Sequence, residues 1–309
     1  MKPLVSYYGG KGRIASQIVD QLMRIPHTVY AEPFAGGLAV LFAKPLPAVG
    51  DSSHYREAIN DNNQLLVNLY RVAQWQPQEF NHIIQHTPYS KAEHTKALQI
   101  CKTPDQYNDL QKAWAYYVNL QQSFANTANA GWRTAVIGRN QSYTWENKRQ
   151  RLPDCLQRLS QVHIDDKDAL DFIDTWDSPE TIFYCDPPYP GSNQGHYTGY
   201  TLNDWQQLCN KLDSCQSSYI LSNYPQQIQP KSAQHIIQIQ ATMSASGSGQ
   251  TKRSDRSIKP SSTELGDRSR TEILWICNRS NLIRDDLNQA LHAISSSLTH
   301  HQTNLFHLP

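Results

Sequence analysis

The apolar run Thr181-Ile182-Phe183-Tyr184-Cys185 leads directly into Asp186-Pro187-Pro188-Tyr189, and that tetrapeptide carries residue types suited to one kind of chemistry. An amine on an aromatic ring is a poor nucleophile because its lone pair is drained into the ring. A carboxylate at Asp186 can accept one N–H of such an amine and the Pro187 carbonyl the other. The nitrogen is then drawn toward the tetrahedral geometry in which it attacks a methyl donor. Pro187 and Pro188 fix the backbone and remove N–H donors that would compete at this spot. The Tyr189 ring offers a flat face for a base pulled from a nucleic-acid stack. Asp-Pro and Pro-Pro are also common turn dipeptides, so an ordinary turn stands as the plainer reading until the rest of the chain is weighed.

Two further segments weigh against the plain turn. Val29 to Phe42 reads as a short apolar strand, a turn at Glu32-Pro33-Phe34-Ala35-Gly36-Gly37, then a helical pattern. Glycine lets backbone approach a ligand closely, and open α/β sheets bind ligands at the carboxyl ends of their strands. The spacing is neither the dinucleotide fingerprint nor a P-loop. At the amino end, Tyr7-Tyr8-Gly9-Gly10-Lys11-Gly12-Arg13 places glycines around a lysine, a composition suited to wrapping an anionic group.

Taken in order, Tyr7 to Lys11, Glu32 to Gly36 and Asp186 to Tyr189 resemble the motifs of the Dam-type DNA adenine-N6 methyltransferases, from about Tyr7 to Cys277. The resemblance implies S-adenosylmethionine (AdoMet) as cofactor and double-stranded DNA as partner, and it leaves open a cognate restriction endonuclease. It implies that Tyr7 and Lys11 meet the methionine end of the cofactor, and that Tyr8, Gly10, Glu32, Pro33, Phe34, Gly36 and Gly37 also belong to its binding site. Asp61 would accept hydrogen bonds from the ribose hydroxyls, Asp168 would lie at the cofactor's adenine, and Asp186 would face both cofactor and target. The family often has Phe-x-Gly-x-Gly in the first loop, whereas Leu38 here holds the second glycine position.

The elements that must position these residues follow from periodicity. Strands are expected at 28–32, 56–60, 161–164, 181–185, 218–222, 235–240 and 272–277. Helical patterns lie between most of them, including 14–24, 62–75, 168–176 and 203–214, the last capped by Thr201 or Asn203. This alternation predicts an α/β fold, a Rossmann-like, mostly parallel seven-strand methyltransferase sheet with helices on both faces. The last two strands lack an intervening helix and are expected to pair antiparallel. The alternation breaks from about 76 to 159, where helices at 90–101, 105–123 and 146–159 predict an inserted target-recognition domain between catalytic segments 1–75 and 160–309. A final amphipathic helix is expected over about 282–297.

Within the insert, the small polar stretch 124–131 ends in Trp132 and Arg133. It reads either as a groove-entering hairpin, with Asn126 and Arg133 contacting bases, or as a surface loop with Trp132 packed back on its helices. Net charge is only +1, but it is unevenly spread. Residues 131–160 hold six basic side chains, Arg139, Lys148 and Arg149 among them, against two acidic ones, and 241–270 hold six, including Lys252 and Arg253, against three. Both segments are expected to touch phosphate. The loop 190–200, with His196 and Tyr197, is expected to close over an extruded base. At 309 residues and 39% hydrophobic, the chain can bury a full core. It has no membrane-length apolar run, no signal-type leader and no Cys/His metal spacing, which predicts a soluble cytoplasmic enzyme with reduced cysteines and no metal. The rival readings are a cytosine-N4 methyltransferase, which faces the same amine problem, and a catalytically silent DNA-binding protein on the same scaffold.

Overall fold

The computed structural model describes residues 1–7, 9–46, 54–134, 138, 140–190, 199–242 and 269–280. Tyr8, Arg139, His196, Tyr197, Lys252, Arg253 and the expected final helix lie outside them. In chain order the elements are α1 (Ala15–Leu22), β1 (Val29–Glu32), α2 (Ala39–Ala43), β2 (Arg56–Asn60) and α3 (Gln64–Trp75). Then come α4 (Pro77–Gln85), α5 (Lys91–Lys102), α6 (Asp109–Gln122), α7 (Gln141–Gln150) and α8 (Leu152–Leu159). The chain returns to the sheet with β3 (Val162–Asp165), α9 (Ala169–Trp176), β4 (Thr181–Cys185), α10 (Leu202–Ser214), β5 (Ser218–Asn223), β6 (His235–Thr242) and β7 (Ser269–Cys277).

These strands form one seven-stranded sheet in the order β3-β2-β1-β4-β5-β7-β6. β1 to β5 pair in parallel, and β7 runs antiparallel to both β5 and β6. The strand order reverses between β1 and β4, and at such a switch point the loops leaving adjacent strands diverge to open a crevice. Both faces of the sheet are covered. Along β4, Ile182 and Tyr184 join the core with α1, α3 and α6, while Phe183 and Cys185 join the core with α9 and α10. A strand buried on both faces reads as an unbroken apolar run, which is why β4 was legible in the sequence.

Local signals set several boundaries. Thr201 and Asp204 form a reciprocal capping box that starts α10, and Asn108 with Gln111 does the same for α6. Asn63 caps α3 through the Leu65 and Leu66 amides. The expected helix over 146–159 is two helices, α7 and α8, separated at Arg151, because Pro153 suits the first turn of a new helix but not the interior of an old one. Helix α4, with Pro77 at its first position, was not foreseen. Its Phe80 and Ile84, together with Ala97 of α5 and Trp114 and Tyr117 of α6, belong to the same core as α1 and α3. Helices α4 to α8 are therefore continuous with one face of the sheet. Among the described residues, no helix is long and apolar enough to cross a membrane.

One buried ion cluster joins α8 to the sheet. Arg158 donates to both carboxylate oxygens of Glu57 on β2, at 2.5 and 2.9 Å, and to the Leu41 carbonyl at 3.0 Å. Lys44 lies 3.6 Å from the same carboxylate. Arg158 is thus a core residue, contrary to the expectation that it contributes to a phosphate-binding segment. Arg158→Ala leaves Glu57 without its bidentate partner and is expected to lower stability by about 3–5 kcal/mol in urea denaturation.

Candidate active site

The loops leaving β1, β2 and β4 meet the amino-terminal loop at the carboxyl edge of the sheet. Asn60, the last residue of β2, ties two of the cofactor-type loops together. Its side-chain amide donates to the Pro33 and Lys167 carbonyls, both at 3.1 Å, and its oxygen accepts from the Lys167 amide at 2.8 Å. Asp61 follows. Its carboxylate accepts the Asn63 amide on Oδ1 and the Gly36 amide on Oδ2, each at 2.9 Å, so each oxygen keeps a lone pair for a further donor. Burial pushes its carboxyl above the usual range, opposed by those two amides.

The glycine turn is shaped by Tyr7. A Cβ on Gly37 would stand 2.9 Å from Tyr7 Cβ and 3.4 Å from the Val5 carbonyl, so only glycine fits between the two loops. Gly36 has φ of +46°, and its carbonyl accepts the Tyr70 hydroxyl at 2.5 Å. Leu38, at the position where the resembling family often has glycine, itself takes the left-handed conformation that glycine favours, with φ of 56°. Its side chain is buried, and that packing holds a backbone the leucine would not adopt alone. Gly10 closes a tight turn by donating to the Tyr7 carbonyl at 3.1 Å. Phe34 meets Tyr200 edge to face, with ring centroids 6.4 Å apart.

Lys11 crosses from this loop to the end of β4. Its Nζ lies 2.6 Å from Asp186 Oδ1 and 3.5 Å from Glu272 Oε1 on β7. Asp186 Oδ2 accepts no hydrogen bond from any described residue. Burial disfavours the Lys11 charge, but Asp186 and Glu272 together outweigh it and hold the pKa above that of an ordinary lysine. Burial and the Glu272 charge raise the Asp186 carboxyl, and the Lys11 ammonium offsets part of that rise. The Tyr189 hydroxyl faces Asp186 Oδ1 at 3.1 Å and, more closely, Glu272 Oε1, which also accepts the Ser222 hydroxyl. The Tyr189 ring is only 7% exposed, with Lys11 Nζ 4.8 Å from its centroid and Tyr224 edge-on at 4.5 Å. The stacking face expected of Tyr189 is therefore covered by its neighbours, and a base reaches it only when they shift.

Other expected residues are placed as follows. Glu32 is buried, and its Oε1 accepts the Tyr30 hydroxyl at 2.6 Å and the Leu41 amide at 2.9 Å, so it fastens α2 to β1. Burial lifts its carboxyl to about 8. Asp168 caps α9 by accepting the Leu170 amide on Oδ1 at 2.8 Å. Glu272, Ser222 and Tyr224 were missed. An acidic residue at the head of the apolar run Ile273-Leu274-Trp275-Ile276 was the signal for Glu272, since a buried charge needs a partner.

The basic segment 131–160 is turned mostly inward, which corrects the expectation that its charges face phosphate. Lys148 is buried, donates to the Gln121 carbonyl at 3.2 Å, and has its pKa lowered to about 7 by burial and by repulsion from Arg133 and Arg151. Arg149 pairs with Glu146 and donates to the Gln85 carbonyl at 2.6 Å. A charge run in sequence does not reveal the acceptors that fold against it. The 123–132 segment forms a hairpin closed by a Ser123–Trp132 bridge, with Asn126 and Asn129 in left-handed conformations. Trp132 packs on Tyr89, with ring centroids 5.4 Å apart, as the packed-back reading anticipated. The Arg133 guanidinium bonds to no described residue, and the buried Asn126 Oδ1 has no partner.

Comparison with known proteins agrees with this arrangement. The family model described as "D12 class N6 adenine-specific DNA methyltransferase" matches residues 7–245. The Retron Ec67 DNA adenine methylase of Escherichia coli is 23% identical over 222 residues, which cover 69% of this chain and 73% of that protein.

Two predictions follow from this geometry. Gly37→Ala forces apart the loops carrying Tyr7 and Gly36, and is expected to lower stability by about 1–3 kcal/mol in urea denaturation. Glu32 has a folded pKa above its unfolded value, so its contribution to stability is full at acidic pH and is lost as pH rises toward about 8. Glu32→Gln is therefore expected to gain on the wild type in urea midpoint across that window.

Proposed function

The chain belongs to the D12 class N6 adenine-specific DNA methyltransferase family, and on that premise we propose that it transfers a methyl group from AdoMet to N6 of an adenine turned out of duplex DNA. The observation that carries the reading is the Asp186 carboxylate: one oxygen is gripped by Lys11, and the other is left as an acceptor at the switch point of the sheet.

The cofactor-type residues fit AdoMet in kind. Asp61 retains acceptor capacity for a pair of ribose hydroxyls, Lys11 presents an ammonium to a carboxylate, and Asp168, the cap of α9, uses Oδ1 for the Leu170 amide and keeps acceptor capacity on its other oxygen. Gly36 and Gly37 keep the turn after β1 narrow. When bound there, AdoMet supplies an electrophilic methyl group on a sulfonium.

The protein's own part is to prepare the amine. Asp186 Oδ2 accepts one N6 hydrogen and the Pro187 carbonyl the other, which restores lone-pair density on nitrogen. The base lies against Tyr189 once Lys11 and Tyr224 have moved from its ring. The nitrogen sheds a proton readily after it gains the methyl, so no dedicated base is required. Target recognition is assigned to 76–159, where the end of the hairpin offers the unengaged Arg133 guanidinium to a groove.

Asp186→Ala is expected to lower transfer of labelled methyl to DNA by at least about a hundredfold to a thousandfold with the fold intact. Mass spectrometry of digested DNA is expected to show N6-methyladenine. N4-methylcytosine in its place, or undiminished activity of the variant, would remove this reading.

A further inference from the structure

Three site side chains converge on the Glu272 carboxylate. Its Oε1 takes the Tyr189 hydroxyl, takes the Ser222 hydroxyl, and lies 3.5 Å from Lys11 Nζ. Two of these three, Lys11 and Tyr189, also face Oδ1 of Asp186, at 2.6 and 3.1 Å. Tyr189 has a single proton to give, so when Glu272 takes it that proton is withheld from Asp186, while the Lys11 ammonium is shared between the two carboxylates. A carboxylate already saturated with donors is a weak acceptor for an incoming amine.

We propose that Glu272 is a positioning residue for methyl transfer: it competes with Asp186 for the Tyr189 proton and the Lys11 ammonium, and so keeps the Asp186 carboxylate available to the N6 amine. This deepens the function proposed above and rests on it. Tyr189, the closer neighbour of Glu272, gives its proton there and turns its oxygen lone pairs toward Asp186. With glutamine at 272, the side-chain amide can donate to Tyr189 instead, which redirects the phenol proton onto Asp186 and leaves Lys11 to Asp186 alone.

The groups acting on Asp186 and its lysine are Lys11 on the amino-terminal loop, Glu32 on β1, Tyr184 and Tyr189 on and after β4, Tyr224 after β5 and Glu272 on β7. Of these, Glu272 is a raising influence on Asp186. The test is the single-turnover rate of methyl transfer as a function of pH, with the DNA concentration dependence measured alongside. Glu272→Gln is expected to lower the plateau rate by about tenfold, to move the acid limb to lower pH, and to leave the KM for DNA unchanged. Glu272→Asp keeps the charge but withdraws it by one methylene. It is expected to lie between wild type and Glu272→Gln on both readouts, and it serves if Glu272→Gln fails to fold. Glu272 variants with a wild-type acid limb, or a rate loss that appears only as a raised KM for DNA, overturn the inference. Asp186→Ala measured in parallel separates the two levels: activity there removes the underlying reading, whereas an inactive Asp186→Ala beside unshifted Glu272 variants removes only the role of Glu272.

Discussion

The ion pair between Lys11 and Asp186 fixes the geometry on which the rest of the site depends. It joins a loop that precedes every strand to the end of the fourth, and both partners are largely buried. Burying two charges is unfavourable unless the pairing is close and the remaining valences are met. Those of the lysine are met, since Glu272 shares it and the Tyr189 ring lies beside it, whereas the second oxygen of Asp186 accepts no hydrogen bond from any described residue. The amino-terminal loop is thereby pinned at the switch point, where Tyr7 can wedge against Gly37.

That wedge shows why the glycine turn tolerates an unusual residue. Glycine is demanded sterically at 37, where Tyr7 is too close for any Cβ. It is favoured only conformationally at 38, and there Leu38 accepts a left-handed backbone in exchange for a buried side chain.

Much of the architecture was legible from periodicity alone. All seven strands fell within a few residues of their observed bounds, because buried parallel strands read as apolar runs and their helices carry capping residues such as Thr201 and Asn63. The antiparallel pairing of β6 with β7 followed from the missing helix between them. What stayed hidden was partnership across long sequence distances. Arg158 looked like surface charge until Glu57, on β2, was placed against it. Lys148 and Arg149 looked like phosphate contacts until backbone carbonyls from α4 and α6 accepted their protons. Glu272 carried the opposite ambiguity, an acid in a strand whose partners are contributed by three separate segments.

Helix α6 has a consequence of its own. It is buried at every position from Ala113 to Gln122, so no face of it is free to slide against water. Near its middle, Tyr116 accepts from Asn63 at 2.9 Å and meets the Tyr7 hydroxyl at 3.5 Å, while toward its end Asn119 accepts the amide of Asn129 in the hairpin at 3.0 Å. A single stiff rod therefore carries the 123–132 hairpin at one end and the brace of Tyr7 near its centre. Any tilt of the hairpin is levered, through that rod, onto the tyrosine that shapes the glycine turn.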